Sequence, residues 1–291
     1  MTIYDFEHST SARHLAALLL VMLLMSCKFD AEEPKQISTH MQGSVQVLET
    51  VFTIPTLNRE RKIWLYLPND YDTSDKRYPV LYMHDGQNLF DEHASFAGEW
   101  YIDESLDSLS AMGMQSAIVV GIENSRDGYT RLDEYSPWMN ERYKRGGDGD
   151  TYVNFIISTL KPFIDKHYRT LSDRAHTGIM GSSMGGLISL YAALQYQNIF
   201  GKVGVFSPSL WFSDQAFQQA LTTTKYHDID IYLIAGEQES KGMIRQMKRM
   251  YRLLENAGFD VFLELHPDGE HSERYWAREF PKAYEWLFLR V

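Results

Sequence analysis

From residue 177 the chain runs Thr177-Gly178-Ile179-Met180-Gly181-Ser182-Ser183-Met184-Gly185-Gly186-Leu187-Ile188-Ser189-Leu190. An apolar run of strand length meets a small-residue turn and then an apolar helical pattern. The turn matches G-x-S-x-G, in which a strand bends sharply into a helix around a serine. The residues two before and two after that serine crowd together, which demands glycine at both places. The central residue is held in a strained backbone conformation. Its hydroxyl is thereby exposed at the carboxyl end of a sheet, beside a helix N-terminus that favours negative charge. Ser183, not Ser182, is the nucleophile candidate.

Outward from this turn, strand-length apolar runs at 45–54, 62–67, 79–84, 117–121, 177–181, 202–206, 229–235 and 261–266 alternate with helical patterns at 103–112, 152–168, 185–196, 241–257 and 272–289. Several runs are continuous Val/Ile/Leu/Tyr, as expected of strands covered on both faces. The alternation predicts an α/β protein with a mostly parallel central sheet of about eight strands and helices on both faces. No helix separates the first two strands, so an antiparallel hairpin is expected at one edge. Met243, Met247, Met250, Tyr251 and Leu254 recur at helical spacing and read as core.

A serine hydroxyl needs a positioned base. In a fold of this kind the chain order is Ser, then acid, then His, with the His after the last strand. His266 still belongs to that strand, which leaves His271 in the loop Pro267-Asp268-Gly269-Glu270-His271. The acid belongs past the strand 229–235, where Gly236-Glu237-Gln238-Glu239 offers Glu239 and, as runner-up, Glu237. Acyl transfer also needs fixed N–H donors for the developing oxyanion. One is expected from Met184, directly after the nucleophile. The other is expected from the loop His84-Asp85-Gly86-Gln87-Asn88, at Gln87 or, second, at Gly86. Asp85, Asn88, Trp100, Trp138 and Trp211 are candidates for the substrate pocket, and the 13% aromatic content suits a sugar or phenolic ester.

Composition narrows the alternatives. The 291 residues are 44% hydrophobic and 23% charged, as in a globular domain with a substantial core. Lys and Arg number 28 against 39 Asp and Glu, a net charge of −11 that argues against a nucleic-acid partner. The single cysteine excludes an internal disulfide or a multi-cysteine metal cluster, and no zinc-helix signature occurs, so no metal site is expected. That cysteine closes Leu24-Met25-Ser26-Cys27 after an apolar run at 15–24, which is too short to span a bilayer. The pattern resembles a bacterial lipobox. Residues 1–27 are therefore expected to be a signal peptide with Cys27 lipidated, residues 28–44 a charged tether, and residues 45–291 the catalytic domain. The expected product is an exported, membrane-anchored lipoprotein, in the periplasm or at the cell surface, that meets the membrane only through its lipid.

Further stretches sharpen the reading: Met83-His84-Asp85-Gly86-Gln87-Asn88-Leu89-Phe90-Asp91, Val119-Val120-Gly121-Ile122, Glu134-Tyr135-Ser136-Pro137-Trp138, Phe206-Ser207-Pro208-Ser209-Leu210-Trp211 and Gly269-Glu270-His271. With the serine turn, they make the chain resemble the esterase D / enterochelin-esterase-like family of α/β-hydrolases over nearly everything after the tether. The resemblance implies the α/β-hydrolase fold and ester hydrolysis through an acyl-serine, without a cofactor. Relatives act on siderophore esters, feruloylated or acetylated polysaccharides, S-formylglutathione and small acyl esters. The family pattern places the acid three residues after the strand-end glycine, which selects Glu239. An acyltransferase with the same triad, or a non-catalytic glycan-binding surface protein, is the alternative.

Overall fold

The computed structural model describes residues 42–125 and 129–290. The predicted signal peptide and all but the end of the tether, with Cys27, lie outside these residues. The strands are β1 Ser44–Val47, β2 Phe52–Ile54, β3 Arg59–Arg61, β4 Ile63–Leu67, β5 Val80–His84, β6 Ile118–Ile122, β7 Thr177–Ser182, β8 Lys202–Phe206, β9 Asp230–Gly236 and β10 Asp260–His266. Eight of them form one sheet in the order β1-β4-β6-β5-β7-β8-β9-β10. The six strands from β6 to β10 pair in parallel, and β4 and β1 add antiparallel at one edge. This is the mostly parallel eight-stranded sheet of an α/β-hydrolase.

Period-two alternation divides the strand side chains between two cores. Val80, Tyr82, Val120, Ile179, Val205 and Leu233 face one layer of helices. Leu81, Met83, Val119, Met180, Phe206 and Tyr232 face the other. The first face is covered by α3 Gly149–Phe155, α4 Lys161–His167, α5 Met184–Gln195, α6 Gln215–Thr222 and α7 Lys241–Asn256. On α7 the three methionines and Leu254 are buried, as their spacing predicts, while Tyr251 at the edge of the stripe is only partly covered. The second face is covered by α1 Ile102–Ala111 and α8 Glu273–Tyr284. A short helix, α2 Thr130–Glu134, follows β6.

Two expectations need correction. The run 45–54 is not one strand, and β1 and β4 are an edge pair but not a hairpin. Phe52–Ile54 instead turns back on Arg59–Arg61 as a separate two-stranded ribbon. The turn between them is closed by Asn58 N–H donating to the Ile54 carbonyl at 3.1 Å. Thr56 and Asn58 adopt positive φ there, after Pro55, a combination of turn signals. The strand Arg-Glu-Arg carries no apolar pattern because its two arginine side chains meet a buried charge. Glu134 is wholly buried and receives Arg61, also buried, while its other oxygen accepts from Arg59 Nη1 at 3.0 Å.

The long helical patterns also widen where a simple 3.6-residue reading expects continuity. A π-turn at Ile156–Leu160 runs into Pro162, and another at Glu285–Leu289 follows Pro281. Proline lacks the N–H that the α-helical ladder requires.

Removing one member of the buried Glu134 ion pair strands the other. Glu134→Ala should therefore lower the unfolding free energy by about 3–5 kcal/mol in chemical denaturation. Glu134→Leu combined with Arg61→Met should recover much of that loss.

Candidate active site

Ser183 lies between β7 and α5 with φ 57° and ψ −119°, a region L-residues rarely occupy. A Cβ on Gly181 would stand 2.9 Å from the Gly185 carbonyl carbon, so the turn demands glycine there, whereas a Cβ on Gly185 would meet the His84 Cβ at 3.3 Å. The strained backbone is tied down by Ser183 N–H to the Phe206 carbonyl at 2.9 Å and by Ser209 N–H to the Ser183 carbonyl at 2.9 Å. The hydroxyl of Ser183 hydrogen-bonds the Ser209 hydroxyl at 3.2 Å. Among the described residues it makes no hydrogen bond to His271.

His271 and Glu239 are 32 residues apart in sequence, and the fold brings His271 Nδ1 to 2.7 Å from Glu239 Oε2. Glu237 is exposed, and the Asp268 carboxylate is engaged by Arg278 at 2.6 and 3.1 Å. The Glu239 carboxylate is almost fully buried, whereas the imidazole is 42% exposed. The second oxygen of Glu239 accepts from Gly236 N–H at 2.8 Å and from Ser207 Oγ at 2.6 Å. Ser207 Oγ in turn accepts from Trp276 Nε1 at 2.9 Å. The Trp276 ring meets the imidazole edge to face, with centroids 4.9 Å apart. Glu239 is thus fixed by backbone, hydroxyl and imidazole together, and Trp276 braces both members of the pair.

At the end of β5, Asp85 adopts a left-handed conformation, φ 58° and ψ 45°, and opens a single 3-10 turn, Gly86–Asn88. A left-handed non-glycine residue costs about 1–2 kcal/mol. Gly86 packs directly on the β6 backbone, where a Cβ would stand 2.5 Å from the Gly121 carbonyl carbon. The first bond of this turn is Asn88 N–H to the Asp85 carbonyl at 2.8 Å, so the Gln87 amide precedes the ladder. The Met184 amide, first in α5, likewise has no carbonyl one turn back to receive it.

His84 is buried beneath this turn, with Nδ1 2.8 Å from the Tyr152 hydroxyl. Burial pushes its pKa down to about 3, so it stays neutral at working pH. For Asp85, burial favours the neutral acid. The adjacent Arg131 and the hydrogen bonds from Arg131 and Asn124 outweigh it and hold the carboxyl below its usual range.

The pocket candidates separate. Asn88 is buried, and its carbonyl accepts from Trp100 N–H at 2.9 Å. Trp100 is a core residue, packed between Phe206 and Trp276 with centroids 5.2 and 5.8 Å away. Trp138 stands edge-on to Tyr191 and is partly buried. Trp211 is half exposed and meets Tyr143 edge-on. Ser207, Ser209, Trp276, Asn124 and Arg131 were not candidates from sequence. Ser207 and Ser209 stand inside a quoted motif at the carboxyl end of β8, which was the available signal. Trp276 and Arg131 gave none, because their partners are distant in sequence.

Beside the His271 loop lies a cleft of about 910 Å³, lined by Glu92, Glu99, Tyr101, Glu270 and Glu273, among others. Next to it, ligand oxygens of Glu99, Asp103 and Glu104 come within 4.8 Å of one another. Burial first pushes Glu99 and Asp103 up to about 7 each, followed at Glu99 by repulsion from neighbouring carboxylates and at Asp103 by a hydrogen bond with Glu104 and repulsion from it. No helix among the described residues is long and apolar enough to cross a membrane.

A sheet carrying a serine elbow at the end of its central strand, with a His–Glu pair from later strand ends, defines an α/β-hydrolase. The family model described as "Putative esterase" matches residues 54–287, and the chain belongs to that family. It is a carboxylic ester hydrolase. It is 28% identical over 243 residues to the uncharacterised Bacillus subtilis protein YbbA, covering 78% of this chain and 92% of that one. It is 25% identical over 249 residues to an iron(III) enterobactin esterase of Dickeya dadantii, covering 79% of this chain and 52% of the relative. The solved enterobactin hydrolase IroE in complex with DFP superposes with a TM-score of 0.66 at 21% identity, over 84% of this chain and 94% of that one.

The raised carboxyls set a pH dependence. Their folded pKa values lie above the unfolded ones, so their contribution is complete below about pH 4 and is lost as pH rises through 7. Glu99→Gln or Asp103→Asn should therefore raise Tm at pH 8, by about 2–4 °C per kcal/mol of relieved repulsion. The same variants should match the parent at pH 4.

Proposed function

We propose that the chain is a serine esterase in which Ser183 attacks the ester carbonyl, His271 carries the proton and Glu239 orients His271. The observation that carries this reading is the 2.7 Å His271–Glu239 pair together with a serine held in an elbow conformation. In the first step Ser183 Oγ leaves Ser209 by rotation about χ1 and turns to imidazole Nε2, which takes its proton as the C–O bond forms. The tetrahedral oxyanion is received by the amides of Met184 and Gln87. As the intermediate collapses, the ester C–O bond breaks and the alcohol leaves with the proton from His271. Water, deprotonated by the same imidazole, then hydrolyses the acyl-serine. The neighbouring carboxylate keeps Nδ1 protonated and stabilises the imidazolium throughout.

The substrate we propose is a sugar or phenolic ester met outside the cytoplasm. The cleft beside the His271 loop, where Arg274 and Arg278 stand among five carboxylates, supports a hydroxyl-rich group, since carboxylates accept hydrogen bonds from hydroxyls and guanidinium groups donate to them. Half-exposed Trp211, two residues after Ser209, supports a ring-bearing substrate. Esterase relatives named for iron(III) enterobactin make a siderophore ester the competing substrate.

Purified protein lacking about the first forty residues, assayed on acetylated xylan oligosaccharides, a feruloyl sugar ester, a catecholate siderophore ester and an aryl acetate, should prefer a sugar-borne ester. Ser183→Ala should lose at least about 10³-fold in kcat and all fluorophosphonate labelling. Labelling that persists in Ser183→Ala would remove the nucleophile assignment, and preference for the siderophore ester would overturn the substrate class.

Export with lipid attachment at Cys27 is proposed on the lipobox-like Leu24-Met25-Ser26-Cys27 alone. The full chain expressed in bacteria should incorporate labelled palmitate and partition with membranes. Cys27→Ser should do neither. Equal labelling of the two would refute attachment at Cys27.

A further inference from the structure

The turn offering the Gln87 amide is itself held by charge. Asp85 accepts a two-pronged hydrogen bond from Arg131, Nε to Oδ1 at 2.8 Å and Nη2 to Oδ2 at 2.7 Å, and a further bond from Asn124 Nδ2 to Oδ1. The backbone is held by the same segment. Asp85 N–H donates to the Tyr135 hydroxyl at 3.2 Å, and Asn124 N–H donates to Gln87 Oε1 at 3.3 Å. Every one of these partners comes from the stretch following β6, 37 to 50 residues along the chain. Both Asp85 oxygens are engaged by charge-assisted or amide donors, which argues for a strut and against a wall of the substrate pocket.

The strut borders the serine turn, since a Cβ on Gly185 would stand 3.5 Å from Asp85 Oδ2. A left-handed residue persists only where its surroundings over-determine it. Here a planar guanidinium spans both carboxylate oxygens, which a lysine cannot do.

We propose that Arg131 and Asn124 are positioning residues. By clamping Asp85 in its left-handed conformation, they aim the Gly86–Gln87 amides at the oxyanion that forms on attack by Ser183. The inference rests on the serine-esterase reading above.

The test uses an aryl acetate as substrate and an aryl trifluoromethyl ketone, whose adduct with Ser183 carries an oxyanion. Arg131→Ala should lower kcat by about 10²-fold, the scale of losing one oxyanion donor, with KM changed less than about 3-fold. Its trifluoromethyl-ketone Ki should rise in step with the fall in kcat/KM. Added guanidinium should restore part of the kcat of Arg131→Ala, and Arg131→Lys should fall between the two. Asn124→Ala should show the same pattern at about 10-fold, and it carries the test if Arg131→Ala does not fold. A folded Arg131→Ala or Asn124→Ala whose kcat stays within 2-fold of the parent would overturn the proposal. So would a loss of kcat with Ki unchanged, or a loss confined to KM. Ser183→Ala run alongside separates the two levels: hydrolysis surviving there sinks the nucleophile reading, whereas a dead Ser183→Ala beside a fully active Arg131→Ala sinks only the strut.

Discussion

The backbone at Ser183 is bent into a region that repels an ordinary side chain, and the site is arranged around that bend. The turn is possible because Gly181 presents no Cβ to the Gly185 backbone and Gly185 presents none to His84. It is held because β7 is paired on both sides, by β5 and β8, and because Phe206 and Ser209 of the β8 end capture the Ser183 backbone. The strain at one residue is thus offset by a sheet that cannot relax around it. A parallel sheet gathers the carboxyl ends of its strands on one side, so the loops after β5, β8, β9 and β10 all open near this bend.

Two electrostatic supports stand on those loops. On one side, Glu239 is shielded from solvent and satisfied by Gly236, Ser207 and His271, so its charge is directed at the imidazole. On the other, Asp85 is buried but kept ionised by Arg131, and the His84 beneath it is kept neutral by burial. Neighbouring residues 84 and 85 thereby hold opposite responses to burial. The one with a cationic partner keeps its charge, and the one facing tyrosine rings loses it. Trp276 belongs to both packing and chemistry. It lies in the core beside Trp100, braces the His271 ring and donates to Ser207.

Much of the fold was legible in the chain because burial on both faces writes strands as continuous apolar runs. The β8 run of Val, Gly, Val and Phe is found where the pattern put it, and the other parallel strands within one or two residues. The ribbon β2–β3 was not legible, since Arg59 and Arg61 pair with buried Glu134 rather than with an apolar core, and Glu60 between them is exposed. Helices α2 and α6 were missed because five to eight residues are too few to display a 3.6-residue period. Trp100 illustrates the opposite error: its position in a loop suggested a pocket, and the loop folds under into the second core.

By itself the sequence determined the strand–turn–helix around Ser183 and the glycine at 181 without which the turn cannot close. These are local demands, set by sterics within a few residues. Only the tertiary structure decided which hydroxyl Ser183 touches, that Glu239 is braced by Ser207 and through it by Trp276, and that Asp85 is held by Arg131. Each of those contacts joins side chains dozens of residues apart, and hydrogen bonds have no range at which a linear pattern records them. Their selection is made by strand register and by which charge is left buried without a partner. Both are properties of the assembled sheet.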